Sequence, residues 1–256
     1  MKDPIVNMQD VTTDTDQIVE IKGISKSFGD SNILTHVELS VKRGENVVVL
    51  GKSGSGKSTL IKCMIGLMEP DEGEIIVFGR NIASLSYPEL NEVRKKMGFL
   101  FQSAALYDSM TVRENLEFPL RHNKHELTND ERNSLVEKVL EQVGLTDAVD
   151  KMPAELSGGM SKRIGLARTL ILEPAIMLYD EPTTGLDTAT AKEISQLILD
   201  LQRKNNISSI IITHDMNCAK MTADRIVMLN DGAIVAEGSY ETLARSNDGF
   251  IQSFFN

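Results

Sequence analysis

The stretch that most constrains this chain is GKSGSGKS at positions 51–58. It matches the pattern G-x-x-x-x-G-K-[ST] of a phosphate-binding loop, or P-loop. The residues before it, NVVVL at 46–50, are typical of a buried strand, and TLIKCMI at 59–65 can continue as a helix. In this setting glycines let backbone N–H groups surround phosphate oxygens, and the helix N-terminus adds a partial positive charge. The stretch therefore predicts a strand–loop–helix unit that binds the phosphates of a nucleotide.

Two side chains of the P-loop have specific expected contacts. The Lys57 ammonium would reach the β- and γ-phosphates, and the Ser58 hydroxyl would bind Mg²⁺. The alternative is a glycine- and serine-rich turn that contains an incidental lysine. A strand on one side and a helix on the other are what a P-loop requires, so the sequence favours the nucleotide site.

Composition and charge narrow the function classes. The chain has 256 residues and a formal net charge of −10. A broad nucleic-acid-binding face needs clustered Lys and Arg, so this charge predicts no nucleic-acid partner. No apolar run approaches the roughly 18 residues that a membrane span needs. The two cysteines, Cys63 and Cys218, lack metal-ligand spacing and are expected to be reduced, partly buried thiols.

Strand-like and helix-like segments alternate along the chain, which predicts an α/β fold. Antiparallel strands precede the P-loop unit, and further apolar strands follow it. After the first few of these later strands, the sequence pattern becomes that of helices, which predicts a helical insert whose central part is strongly polar. We expect a loose polar lead-in at 1–17 and one domain at 18–256, with a helical subdomain at about 103–165 inside that domain.

Asp180 and Glu181 follow the apolar run IMLY, at the C-terminal end of a predicted strand. Ligands of open α/β sheets bind at this end of the strands. Phosphoryl transfer to water needs a metal ion near the phosphates and a group that orients the attacking water. Asp180 suits the metal, directly or through its water, and Glu181 suits the water as a general base. The alternative is a pair of acids that caps the following turn, and the upstream P-loop disfavours it.

Gln102 and His214 also end predicted strands. Each is compatible with an ordinary surface position, but their shared placement at strand ends favours one common cleft. A neutral His can hydrogen-bond a γ-phosphate or a water, and a Gln can contact Mg²⁺ or that water.

A second anion-binding element is predicted at Ser157-Gly158-Gly159, before a helical pattern. Ser157 can cap the helix, and the backbone N–H groups there are free to bind an anion. One nucleotide needs only one phosphate cradle, so a second cradle indicates a nucleotide held by another copy of the chain. A plain helix start is the alternative.

The joint set of motifs comprises Phe28, the P-loop, Gln102, LSGGM at 156–160, the Asp180–Glu181 pair, GLD at 185–187 and His214. In this order, over about 18–238, they resemble the ATP-binding subunit of an ABC transporter. The resemblance implies an ABC-type P-loop NTPase with a RecA-like core, an antiparallel β subdomain and a helical insert. It also implies an ATPase that converts ATP and water to ADP and phosphate, with ATP and Mg²⁺ as its ligands.

The resemblance assigns a role to each motif residue. The nucleotide-binding residues it implies are Phe28, Gly51, Ser53, Gly54, Ser55, Gly56, Lys57, Ser58, Thr59, Ser157, Gly158, Gly159 and Asp187. The catalytic residues it implies are Lys57, Gln102, Glu181 as base and His214 as switch, and the metal ligands are Ser58, Gln102 and Asp180. Phe28 would stack on adenine, while Ser157, Gly158 and Gly159 would close on the ATP of the opposite subunit. Asp187 would communicate across this dimer.

Three further stretches are GFLFQSAALY at 98–107, FPLR at 118–121 and MSKR at 160–163. They resemble the ATPase of the Mla (maintenance of lipid asymmetry) phospholipid-trafficking system and its Mce-associated relatives. This implies a peripheral protein at the cytoplasmic face of the inner membrane, acting as a homodimer with multi-span permease subunits and an Mce-domain lipid-binding protein. Residues 103–120 are the expected docking surface for a permease helix. Thr188 departs from this pattern, because the subfamily usually has Pro after the aspartate of the GLD motif.

Two other functions stay open at this point. The first is an ATPase of another ABC system, such as lipoprotein release, cell division or solute import; only the Gln102 neighbourhood and Met160 speak against it. The second is a soluble ABC-type ATPase that acts on DNA or ribosomes. A single P-loop, the lack of a heptad run and the acidic net charge disfavour this second function.

Overall fold

The computed structural model describes residues 16–255, which form two β-sheets and a set of helices. The strands are β1 (Gln17–Phe28), β2 (Ser31–Lys42), β3 (Asn46–Leu50), β4 (Glu72–Val77), β5 (Arg80–Asn81), β6 (Met97–Leu100), β7 (Ile176–Asp180), β8 (Ser208–Thr213), β9 (Arg225–Asn230) and β10 (Ala233–Gly238). The α-helices are α1 (Lys57–Met64), α2 (Tyr87–Lys95), α3 (Val112–Asn123), α4 (Asn129–Val143), α5 (Gly158–Leu170), α6 (Thr188–Asn205), α7 (Met216–Thr222), α8 (Tyr240–Ala244) and α9 (Gly249–Gln252). Of the lead-in expected at 1–17, all but the last two positions lie outside the described residues.

The larger sheet has six strands in the order β10-β9-β3-β8-β7-β6. Strands β3, β6, β7, β8 and β9 run parallel, and β10 joins β9 antiparallel. Every residue of β3 and β8 is buried, as expected for central parallel strands whose two faces are both covered. Because β3, β7 and β8 are parallel neighbours, their C-terminal ends meet at one edge of the sheet. This edge carries the P-loop, Asp180 and His214.

The smaller sheet is antiparallel, with the strand order β2-β1-β4-β5. Its apolar side chains, such as Val19 and Val37, share a core with α1 and with one face of the larger sheet, including Val47 and Val49. The other face of the larger sheet, including Val48 and Leu50, packs on α3, α4, α5 and α6 in a second core. The antiparallel subdomain that the sequence resemblance implied is therefore present.

The helical insert consists of α3, α4 and the start of α5. Each of these helices begins at a side chain that accepts a backbone N–H bond: Thr111 for α3, Thr128 for α4 and Ser157 for α5. The boundary expected near 165 falls inside α5, which continues to Leu170 without a break. The insert is thus joined rigidly to the larger sheet through α5. Within residues 16–255, no helix combines the length and apolarity needed to cross a membrane.

Two local features differ from the sequence prediction. Helix α2 was not predicted, although Ser86 and Glu89 form a capping box that marks its start. Strand β6 ends at Leu100, so Gln102 lies in the loop that follows and not at the end of the strand itself. The loop turns sharply because Ala104 and Ala105 both have left-handed backbone conformations, with φ of 60° and 49°.

Candidate functional site

The P-loop connects β3 to α1 with glycines where the chain geometry requires them. Gly54 and Gly56 have φ of 82° and 102°, which side chains rarely tolerate. A Cβ on Gly56 would also lie 2.6 Å from the carbonyl oxygen of Ile33 on β2. Helix α1 begins after Gly56 with no side-chain cap, so among residues 16–255 its first N–H groups have no side-chain acceptor. These groups form an anion-binding concavity of the kind predicted from the sequence.

Lys57 lies buried at the floor of this concavity. Its Nζ donates to the carbonyl oxygens of Gly51 at 2.7 Å and Lys52 at 3.0 Å. It also lies 3.8 Å from Oε1 of Glu181. Burial lowers the pKa of Lys57, while the negative charges of Glu181 and Asp180 act against this shift.

Asp180 ends β7 beside the P-loop, and its chemistry fits a metal ligand. Its Oδ1 is buried and has no hydrogen-bond partner among residues 16–255. Burial and the charge of Glu181 raise the pKa of Asp180, against the opposing effects of Lys57, Lys62 and the Ser58 hydroxyl. A buried, unpaired carboxylate oxygen next to a hydroxyl suits Mg²⁺, which prefers oxygen ligands. Asp180, Ser58 and Gln102 are therefore suited to hold Mg²⁺ beside the phosphates of a nucleotide.

Glu181 is held by the ends of β7 and β8. Its backbone has φ of 50°, an unfavourable conformation for this residue type that recurs at functional sites. Its Oε2 lies 2.9 Å from Nδ1 of His214 and accepts bonds from Oγ1 of Thr184 at 3.2 Å and Oγ1 of Thr213 at 3.3 Å. The Glu181 side chain is 13% exposed, so it meets solvent only through the cleft. A carboxylate oriented in this way can accept a proton from a water molecule.

These groups line one cleft of about 740 Å³. Its walls include most of the residues predicted from the sequence, namely Ser53, Gly54, Gly56, Lys57, Ser58, Thr59, Gln102, Asp180, Glu181 and His214. Gly51 and Ser55 are buried members of the loop that do not line the cleft, and a Cβ on Gly51 would meet Ser55 Oγ and the Leu229 carbonyl, each at 2.5 Å. Their predicted contacts with the nucleotide stay predictions.

Phe28 is not among the residues that line the cleft. It ends β1 with half of its surface exposed, and Nζ of Lys26 lies 5.8 Å from the centre of its ring. The ring is therefore accessible for stacking, while its predicted contact with adenine stays a prediction.

Ser157, Gly158 and Gly159 also lie outside the cleft of their own chain. Ser157 Oγ accepts a bond from the N–H of Met160 at 3.2 Å and so caps α5. A Cβ on Gly159 would lie 2.6 Å from Cγ2 of Thr190, so this glycine allows α5 to approach α6 closely. Asp187 caps α6 by accepting bonds from the N–H groups of Ala189 and Thr190, both at 3.0 Å. Within one chain these residues cap or pack helices, and their predicted contact with the ATP of another copy stays a prediction.

Comparison with known proteins decides the family of the chain. Residues 34–184 match the family model described as ABC transporter. The chain belongs to the ABC transporter family. The predicted α/β P-loop NTPase fold of an ABC ATPase domain is confirmed, and membership implies hydrolysis of ATP, bound with Mg²⁺.

The curated relatives of this ABC protein carry different transport names. "Probable ribonucleotide transport ATP-binding protein mkl" of Mycobacterium leprae is 42% identical over 238 residues, which are 93% of this chain and 68% of that protein. "Methionine import ATP-binding protein MetN" of Rhizobium johnstonii is 39% identical over 233 residues, which are 91% of this chain and 64% of that protein. The chain thus spans about two thirds of the length of these relatives.

Solved ABC cassettes share the architecture closely. The ATP-binding cassette MJ0796, in a dimeric post-hydrolysis state bound to ADP and Pi, matches with a TM-score of 0.79 and 34% identity over 86% of this chain and 98% of that one. The cbiO1 protein of Clostridium perfringens, part of the cbiONQ ABC transporter complex, matches with a TM-score of 0.83 and 29% identity over 90% of this chain and 92% of that one.

Five residues of the cleft were given no role by the sequence prediction: Ile33, Lys52, Thr184, Ser253 and Phe254. Thr184 was visible as part of the turn after Glu181, but only the structure gives its bond to the Glu181 carboxylate. Ser253 and Phe254 follow α9 at the other end of the chain, and no local motif connects them with the P-loop. Their position depends on packing of the final aromatic residues against the second core.

Proposed function

We propose that this chain is the ATP-hydrolysing subunit of a membrane transporter that moves phospholipids between membranes. It would act at the cytoplasmic face of the inner membrane. The observation that carries the ATPase part is the cleft in which Lys57, Asp180 and Glu181 meet at the P-loop. The phospholipid part rests on the sequence resemblance around Gln102 and Met160 to Mla-type ATPases.

The residues of the cleft divide the chemistry between them. Lys57 and the free N–H groups of α1 offset the negative charge of the phosphates. Glu181 orients the attacking water and accepts its proton, and His214 and Thr184 hold the Glu181 carboxylate in place. Mg²⁺, held by Ser58, Gln102 and Asp180, offsets charge on the phosphate oxygens when it is bound.

We infer that two copies of the chain sandwich two ATP molecules. Ser157, Gly158 and Gly159 form a helix N-terminus that does not line the cleft of their own chain, which fits contact with the ATP of a partner copy. A dimeric cassette among the structural neighbours supports this arrangement. Closure around ATP excludes bulk water, and loss of the γ-phosphate removes the group that joins the two copies.

An aromatic surface next to Gln102 supports a permease partner. Tyr107 is 43% exposed, and its ring centre lies 4.8 Å from that of half-buried Phe118, whose ring centre lies 4.3 Å from that of exposed His122. Buried Asn115 holds this loop by accepting from the N–H of Tyr107 and donating to its carbonyl. Exposed aromatic groups on a rigid support suit an apolar helix of a permease.

A second function is favoured by the names of the relatives. The proteins called ribonucleotide transport and methionine import ATP-binding proteins share about two fifths of their aligned residues with this chain. An importer of a small polar solute is therefore the alternative. It would use the same ATPase cleft with a different permease.

The test is capture of the intact complex. Tagged Glu181→Gln protein is isolated with ATP and Mg²⁺ from detergent-solubilised membranes of its own source, and both proteins and lipids are identified by mass spectrometry. We expect a multi-span permease, an Mce-domain protein and enriched phospholipid. A solute permease without bound phospholipid would overturn the lipid assignment and leave the ATPase assignment intact.

A matched pair of variants controls for non-specific capture. Replacing both Tyr107 and Phe118 by Ala should abolish recovery of the permease while ATP binding is kept. Tyr87 is 72% exposed and lies on α2, away from the aromatic surface, so Tyr87→Ala should leave recovery unchanged. Equal loss in both variants would contradict the proposed docking surface.

A further inference from the structure

Lys162 is a buried lysine that the ATPase mechanism above does not use. It lies in the second turn of α5 and is only 5% exposed. Its Nζ donates to the main-chain carbonyl oxygen of Gln102, and it lies 3.3 Å from the carbonyl oxygen of Glu181. One ammonium group thus contacts the backbone of a proposed metal ligand and of the proposed general base.

Two more residues of α5 contact the loop that follows Gln102. Arg168 donates to the carbonyl oxygens of Ala105 at 2.7 Å and Ala104 at 3.0 Å. A Cβ on Gly165 would lie 2.9 Å from the Cβ of Ala104, so α5 and the loop are in close contact. Both alanines have positive φ, and such a conformation persists only where surrounding contacts maintain it.

Burial of Lys162 has an energetic cost that an apolar side chain would avoid. Desolvation lowers the pKa of Lys162, and the charges of Asp180 and Glu181 only partly counter this effect. The described residues place no carboxylate within ion-pair distance of its Nζ. Its contacts with protein are the two carbonyl oxygens, which points to a role in holding those two backbone positions.

We propose that Lys162 is a positioning residue that fixes Gln102 and Glu181 relative to each other and to the N-terminus of α5. Ser157 lies five positions before Lys162, which is about 8 Å along a helix. A contact of Ser157, Gly158 and Gly159 with the partner's ATP is therefore transmitted through a short rigid helix to the metal ligand and the base. The left-handed backbone of Glu181 is stabilised by the bond to its carbonyl.

The proposal rests on the roles proposed above for Gln102 and Glu181, which are tested separately by Gln102→Ala and Glu181→Gln. In Lys162→Met most of the aliphatic stem is kept and both hydrogen bonds to the carbonyl oxygens are lost. We expect kcat for ATP hydrolysis to fall about 10-fold or more, as for groups that orient metal ligands, with the KM for ATP unchanged. We also expect weaker binding of Mn²⁺ in the presence of ATP, measured by electron paramagnetic resonance, which does not depend on turnover.

Arg163→Met is the matched control on the same helix. Arg163 donates to the Val143 carbonyl at 3.1 Å and to Glu193 at 2.9 Å, and it contacts neither Gln102 nor Glu181. This variant should lower the Tm and leave kcat and Mn²⁺ affinity unchanged. Lys162→Arg, which keeps the charge and the donors, should recover part of the kcat that Lys162→Met loses.

Three results would overturn the proposal: unchanged kcat in Lys162→Met, a fall in kcat without weaker Mn²⁺ binding, or the same Mn²⁺ effect in Arg163→Met. If Lys162→Met does not fold, Lys162→Leu replaces it, because its side chain also lacks any hydrogen-bond donor. Unchanged kcat and Mn²⁺ affinity in that variant would equally overturn the proposal. Loss of activity in Gln102→Ala and Glu181→Gln, with Lys162→Met unaffected, would leave the proposed function standing and reject only this inference.

Discussion

Glu181 and Lys57 face each other in the cleft with opposite charges and different tasks. Lys57 is held by the carbonyls of its own loop, whereas Glu181 is held by residues of β8 and of the turn after β7. Both are largely buried, so their interactions are less screened than those of surface ions. At the scale of single residues, the cleft thus combines a fixed cation for phosphate with a fixed base for water.

Replacing the base should separate binding from hydrolysis. In Glu181→Gln the side chain keeps its shape but loses the ability to accept a proton from water. We expect ATP binding to be retained and the hydrolysis rate to fall about 100-fold or more, the usual contribution of a general base. Phosphate release and fluorescent-nucleotide binding are the two measurements.

Glu173 supplies a control for this substitution. It also has a left-handed backbone, with φ of 55°, but it is exposed, and its ion-pair partner in the described part of the chain is Lys138 at 3.4 Å. Glu173→Gln should hydrolyse ATP at the wild-type rate. Hydrolysis by Glu181→Gln at that same rate would reject the base assignment.

At the scale of secondary-structure elements, Arg225 connects the two sheets. Arg225 at the start of β9 binds Glu45 through Nε at 2.7 Å and Nη2 at 3.1 Å, and it also donates to the Ser40 carbonyl of β2. Burial alone would raise the pKa of Glu45. Hydrogen bonds from Arg225 and from the N–H of Lys42, together with the charge of Arg225, outweigh burial and hold this pKa below 4.5.

This pair predicts a specific pH dependence of stability. Because the pKa of Glu45 is lower in the folded state, its contribution is present above the unfolded pKa of about 4.5 and is lost as pH falls through the folded value. Glu45→Gln should therefore lower the free energy of unfolding by about 1–2 kcal/mol at neutral pH and by less in acid. Urea titrations at neutral and at acidic pH measure the free energy of unfolding. Glu92 forms an exposed pair with Lys95, so Glu92→Gln should change this free energy little.

Helix α5 is the element that carries the proposed contact with the partner's ATP. Ser157→Arg puts a large side chain at its exposed N-terminus and removes a cap worth about 1 kcal/mol. We expect ATP hydrolysis to be lost while circular dichroism shows a folded chain.

Ser239→Arg is the matched control for this change, because Ser239 caps α8 in the same way by accepting from the N–H of Thr242. It should cost similar stability and leave hydrolysis intact. Normal hydrolysis by Ser157→Arg would contradict an ATP sandwich between two copies.

The whole molecule is one half of the proposed ATP-binding unit. Its own cleft contains the P-loop, the base and the switch histidine, while the second anion-binding helix start lies outside that cleft. Glu181→Gln should therefore form a dimer only when ATP and Mg²⁺ are present. Light scattering coupled to gel filtration measures the molecular mass. Glu181→Gln with ADP, and the double variant Glu181→Gln, Ser157→Arg with ATP, are the controls, and both should remain monomeric. A dimer of the same size without nucleotide would contradict closure by ATP.

Several parts of the fold and site were predictable because their signals are local in sequence. The P-loop requires glycines and a lysine at fixed spacing, and the central strands β3 and β8 are continuous apolar runs. Asp180 and Glu181 follow another such run, so strand direction alone predicts that they meet the P-loop. Phosphate and Mg²⁺ binding followed from these local patterns, whereas the family and the ligand ATP followed from the resemblance carried by the joint set of motifs.

Other features depended on contacts between distant parts of the chain. Lys162 meets Gln102 across 60 positions, and Thr213 meets the Glu181 carboxylate across 32 positions. Phe254 reaches the P-loop cleft through packing of the final aromatic residues, which no motif near the P-loop records. By itself the sequence determined which residues can perform the chemistry, because the phosphate-binding loop and the acidic pair after an apolar run are patterns within short stretches of sequence. The tertiary structure alone decided which groups hold those residues in place, because side-chain packing joins elements whose sequences carry no mark of one another.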